Sequence, residues 1–124
     1  MASVLLAEDD PSLRPYLARA LRRDGHEVVA VADGALATKE LAPGRFDVLL
    51  ADIVMPEVDG LELARRAEKI DPSIKVLFIT GFAAVAMNSR SDSDRATKVL
   101  SKPFHLKDVV EEIRDMLGAE QVGT

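Results

Sequence analysis

Short apolar runs alternate along this chain with longer stretches in which apolar residues recur every three or four positions. The runs are Val4-Leu5-Leu6-Ala7, Val28-Val29-Ala30-Val31, Val48-Leu49-Leu50-Ala51, Val76-Leu77-Phe78-Ile79 and Val99-Leu100. Runs this short and this uniformly apolar predict buried strands, here Val4–Ala7, Glu27–Val31, Val48–Asp52, Lys75–Thr80 and Lys98–Ser101. The stretches between and after them predict helices over Leu13–Asp24, Gly34–Ala42, Gly60–Ile70, Ala83–Ser89 and Leu106–Leu117. The last is the clearest: Leu106, Val109, Val110, Ile113, Met116 and Leu117 share one helical face. Gly25 suits the left-handed position that ends a helix, and Asp71-Pro72 closes another. Strand and helix in strict alternation predict an α/β chain, a parallel doubly wound sheet of five strands with five helices.

Two segments fit this scheme poorly. Pro15 falls inside the first helical pattern and is tolerated only near the start, as it would be with Ser12 as the N-cap. Asn88–Arg95 shows no apolar periodicity, so the fourth helix is expected to be short or followed by a long loop. Residues 1–124 are expected to form one domain, with Gly118–Thr124 a disordered tail.

Composition narrows the function. The net charge of −5 argues against nonspecific nucleic-acid or anionic-membrane binding. No cysteine is present, which removes thiol chemistry and Cys-ligated zinc. No apolar run approaches membrane-spanning length, so a cytoplasmic chain is expected.

Chemistry gathers at the strand ends. Asp52 ends the third run, Glu8-Asp9-Asp10 follows the first, Thr80 ends the fourth, and Lys102 follows the fifth after Ser101. In open α/β sheets ligands bind at this carboxyl edge. Three carboxylates drawn together repel, by about 4 kcal/mol per pair at 4 Å and an effective dielectric of 20. A hard divalent cation, Mg2+ above all, would relieve that repulsion. Asp52 could then attack phosphorus, with Lys102 and Thr80 holding phosphoryl oxygens. Read alone, Glu8-Asp9-Asp10 also suits N-capping of the helix that starts beyond Pro11. His26 and His105 lack ligand-spaced neighbours and are read as non-catalytic.

The motifs Ala7-Glu8-Asp9-Asp10, Asp52-Ile-Val-Met-Pro-Glu-Val-Asp-Gly60, Phe78-Ile-Thr-Gly81 and Lys102-Pro-Phe104 resemble the receiver domains of two-component response regulators. The resemblance covers residues 3 to 117. It implies a flavodoxin-like sheet of order 2-1-3-4-5 and phosphorylation of Asp52. It also implies a magnesium site of Glu8, Asp9, Asp52 and the Val54 backbone carbonyl, with Thr80 and Lys102 as switch and phosphoryl-binding residues. The Lys102–Pro103 bond is usually cis in such domains. Thr80–Ala86 and Lys98–Leu106 are similar to single-domain regulators of the CpdR type, which act as adaptors for a AAA+ protease when unphosphorylated. The implied partners are a histidine kinase or histidine phosphotransfer protein and a AAA+ protease unfoldase. The implied chemistry is self-phosphotransfer with slow autodephosphorylation rather than turnover of a separate substrate. One position departs from the family: Val99 stands three residues before Lys102, where receivers usually carry Tyr or Phe. An aromatic rotamer switch is therefore not carried over.

A phosphorelay shuttle would use the same residues and stays open as an alternative. Two other classes meet specific obstacles. A free-standing haloacid-dehalogenase-like phosphatase needs a second Asp two residues after its nucleophile, where Val54 stands. A flavodoxin-type carrier needs a phosphate-cradling first loop, which Glu8-Asp9-Asp10 would repel. Phe82–Met87 reads either as a buried helix face or as an apolar docking patch.

Overall fold

A computed structural model describes residues 2–55, 58–80, 97–101 and 105–122, with backbone alone at 80, 97–98, 101 and 119–122. The strands are β1 (Ser3–Ala7), β2 (Glu27–Val31), β3 (Val48–Asp52), β4 (Lys75–Thr80) and β5 (Thr97–Ser101). Helices α1 (Leu13–Arg23), α2 (Gly34–Glu40), α3 (Gly60–Ile70) and a C-terminal helix (Leu106–Val122) complete the described elements. All five strands are parallel, in the order β2-β1-β3-β4-β5. The predicted helix over 83–89, the loop 88–95, the Phe82–Met87 segment, Lys102 and the Lys102–Pro103 bond lie outside the described residues.

Each central strand is buried on both faces, which is why it reads as an unbroken apolar run. Side chains alternate between the faces. Leu5, Leu49, Val76 and Phe78 pack with Ala37 of α2 and with Leu63, Ala64 and Ala67 of α3. Val4, Leu6, Leu50, Leu77 and Ile79 pack with Leu17 and Leu21 of α1 and with Val109, Ile113 and Met116 of the C-terminal helix. Val99 is partly buried against the first cluster.

The helix ends explain where the sequence reading was displaced. Ser12 makes no side-chain cap bond. Instead the Asp10 carboxylate accepts the backbone N–H groups of Ser12 (2.8 Å) and Leu13 (3.2 Å), and its carbonyl accepts that of Arg14 (3.0 Å). The first turn therefore starts at Asp10, with Pro11 pre-shaped to follow. Helix α1 closes as expected. Gly25 has φ 93°, and the N–H groups of Gly25 and His26 donate to the Arg22 and Leu21 carbonyls, at 3.0 and 3.2 Å. The C-terminal helix continues past Leu117 to Val122.

Asp24 sits at the negative end of α1, an unfavourable place for a carboxylate. Arg114 of the C-terminal helix reaches across to it, its Nε donating at 2.8 Å, and His26 Nε2 lies 3.4 Å away. His26 is buried and its Nδ1 accepts the Ala2 N–H at 3.1 Å, so the ring proton sits on Nε2, facing Asp24. The Arg114 hydrogen bond holds the Asp24 carboxyl below its usual range, against the opposing effect of burial.

Candidate functional site

Register brings the strand ends level. Ala7 of β1 pairs with Ala51 of β3, so Glu8 and Asp52 leave the sheet side by side. Asp52 pairs with Ile79 and Thr80 with Ser101, which puts the ends of β4 and β5 on the same rim. The Thr80 side chain and Lys102 are not among the described groups.

Glu8, Asp9 and Asp52 each offer a carboxylate oxygen, all within 4.8 Å of one another. Glu8 is fully buried and Asp52 is 5% exposed, whereas Asp9 is open to solvent. This is a hard, oxygen-only donor set with one open side, the chemistry a magnesium ion accepts while keeping several waters. The three residues fit the ion that the receiver resemblance implies.

Local bonds aim each group. The Val54 N–H donates to Asp52 Oδ1 at 3.0 Å and fixes the carboxylate plane. Asp10 N–H donates to Glu8 Oε2 at 3.0 Å, and Arg14 Nη1 donates to the Glu8 carbonyl at 2.9 Å. The acidic triplet thus divides its work. Asp10 takes the capping role that the whole triplet could have filled, which leaves Glu8 and Asp9 to meet Asp52. The Val54 side chain is 55% exposed, next to the Asp52 carboxylate whose plane its own N–H fixes.

A tight frame lies behind Asp52. Gly60 N–H donates to the Ile53 carbonyl at 2.8 Å, which ties the start of α3 to the residue after Asp52. A Cβ on Gly60 would lie 2.4 Å from the Asp52 carbonyl oxygen, so only glycine lets α3 start there. Asp59 caps that helix by accepting the Glu62 N–H at 2.8 Å. Sequence reasoning named neither the Arg14 contact nor this backbone approach; the Asp59-Gly60 pair before a helical pattern was the available signal. His105 is exposed and its backbone N–H donates to Asp108 at 3.2 Å, at the start of the C-terminal helix.

The response regulator receiver domain family matches residues 4–114. The chain is 56% identical over 117 residues to the response regulator receiver protein CpdR of Brucella abortus (strain 2308), covering 94% of this chain and 98% of that protein. It is 38% identical over 118 residues to the sensor kinase CckA of the same organism, a match spanning 94% of this chain but 12% of the kinase. The crystal structure of a response regulator receiver protein from Sinorhizobium medicae WSM419 superposes with a TM-score of 0.82 at 30% identity, over 94% of each chain.

Proposed function

We propose that this chain, which belongs to the response regulator receiver domain family, accepts a phosphoryl group on Asp52 and passes that state to a protein partner. The observation that carries the reading is the meeting of Glu8, Asp9 and Asp52 within 4.8 Å at the carboxyl ends of β1 and β3. Glu8, Asp9 and Asp52, with the Val54 carbonyl, would hold Mg2+, which neutralises charge on the incoming phosphoryl oxygens. Val54 N–H keeps Asp52 Oδ1 in place, so the second carboxylate oxygen attacks phosphorus. An O–P bond forms, the N–P bond of a phosphohistidine breaks, and the imidazole leaves with a proton from solvent. Lys102 and the Thr80 hydroxyl are assigned to the transferred phosphoryl oxygens. Burial of Glu8 and Asp52 strengthens each of these electrostatic contacts.

The donor in this reading is a histidine kinase or histidine phosphotransfer protein in the cytoplasm. Among the described residues no helix is long and apolar enough to cross a membrane. The partner is a AAA+ protease unfoldase, recruited by the unphosphorylated form; the near full-length similarity to CpdR supports this choice. Incubation with acetyl phosphate and Mg2+ should add one phosphate to wild type and none to Asp52→Asn. Acid-stable label persisting in that variant would overturn the phosphoacceptor assignment. Pull-downs with Asp52→Ala and with the beryllofluoride-treated protein test the partner: equal recovery of the unfoldase in both states would overturn the control step.

A further inference from the structure

We infer that Gly34, at the start of α2, is a positioning residue for the Asp52 site and acts through Val58. The inference rests on the reading of Asp52 as a phosphoacceptor that binds Mg2+. Gly34 is buried, and a Cβ there would lie 2.2 Å from the Val58 carbonyl oxygen and 2.8 Å from the Val58 Cβ. The near atoms are backbone or sit directly on it, so no flexible side-chain end can yield.

Retreat of helix α2 would pull buried Ala37 out of the core it shares with Leu63, Ala64 and Ala67 of α3. The Thr38 hydroxyl donates to the Gly34 carbonyl at 2.8 Å, and Arg66 Nη1 of α3 donates to Thr38 Oγ1 at 3.4 Å. Asp33 accepts the Leu36 N–H at 2.8 Å and sets the first turn. The Val58 loop is equally confined. Asp59 and Gly60 anchor its far end to α3, and Gly60 N–H ties it to Ile53. Ile53 N–H in turn donates to the Ile79 carbonyl of β4 at 3.3 Å. Ile53 and Met55 are buried, whereas Val54 is exposed. A push at Val58 therefore passes through Asp59 and Gly60 to the Ile53 carbonyl, and so to the next residue, Val54, whose N–H holds Asp52 Oδ1 and whose carbonyl is assigned to the metal. The bare Cα of Gly34 sets how far the loop sits from the acidic cluster.

The test compares 15N-labelled wild type, Gly34→Ala, Asp33→Ala and Met116→Ala, a core variant on the opposite face of the sheet. Mg2+ alone is titrated while the Asp52, Ile53 and Val54 amide shifts are followed. Thermal midpoints and initial rates with acetyl phosphate are read in parallel. Gly34→Ala is expected to raise the Mg2+ dissociation constant about tenfold, as removal of a supporting contact behind a ligand does. It should also slow phosphorylation about tenfold, since a displacement near 1 Å is enough. Met116→Ala should lose thermal stability without either change. A Gly34→Ala protein whose dissociation constant and rate match those of Met116→Ala would overturn the inference. If Gly34→Ala does not fold, Asp33→Ala decides. Freeing the first turn should raise the dissociation constant about twofold or more, and an unchanged value overturns the inference. Wild type that binds no Mg2+ and takes no phosphate would overturn the phosphoacceptor reading itself, a result distinct from either.

Discussion

Replacing Gly60 with Ala should destabilise the protein through one contact that can be measured. The added Cβ would stand 2.4 Å from the Asp52 carbonyl oxygen and 2.8 Å from the Ile53 Cα, where ordinary contact begins at 3.4 Å. Backbone must therefore move by about 1 Å, and forcing a methyl into a packed site costs about 1–3 kcal/mol. Against this, Ala in place of Gly in a helix returns up to about 1 kcal/mol. With that return in full, the net loss is about 0–2 kcal/mol, centred on about 1. At about 4 °C per kcal/mol for a domain of this size, the thermal midpoint should fall by about 4 °C, and by no more than about 8 °C. With no Trp and a single Tyr, far-UV circular dichroism is the suitable probe of urea and thermal unfolding. The urea midpoint should fall with an unchanged m-value, which would place the loss in native packing rather than in a changed unfolded state. A midpoint above that of wild type would refute the argument, because it would mean that α3 can move away from Asp52 at no cost.

Asp9→Ala should abolish the Mg2+-dependent amide shifts at Asp52, and in wild type Mg2+ affinity should weaken in acid as the ligands protonate; unchanged affinity in the variant would leave the exposed carboxylate without a metal role. Arg114→Ala should remove the interaction that lowers the Asp24 pKa. A depressed carboxyl contributes stability that is fully present above its unfolded value, near 3.8, and is lost as pH falls through the folded one. Urea midpoints should therefore fall less steeply below pH 4 in the variant than in wild type, and identical slopes would show that the Arg114–Asp24 pair contributes nothing. The aspartyl phosphate should be long-lived, because Val54, exposed beside Asp52, carries no side-chain group that could orient a water in line with the phosphorus. Val54→Asn should speed its loss about tenfold, read by intact mass against time, and wild-type decay within seconds would refute the reasoning.

Much of the architecture was legible in the chain itself. A parallel strand buried on both faces must be apolar at consecutive positions, so β1, β3 and β4 stood out within a residue of their observed ends. Asp52 and Glu8 were legible for the same reason: a charge directly after such a run has only the sheet rim to occupy. The division of Glu8, Asp9 and Asp10 was not, since three adjacent carboxylates are chemically alike. The direction in which the chain turns into α1 sends Asp10 to the helix N-terminus and the other two towards Asp52. Ser12 looked like the cap because hydroxyls often are, but backbone geometry put the first turn two residues earlier. The pairings of Asp24 with Arg114 and of Gly34 with Val58 join segments 90 and 24 positions apart, and no periodicity along a chain encodes a partner at that separation. Pattern determined which residues line the layers and reach the rim; packing between layers decided which carboxylates meet and how closely the backbone behind Asp52 is held.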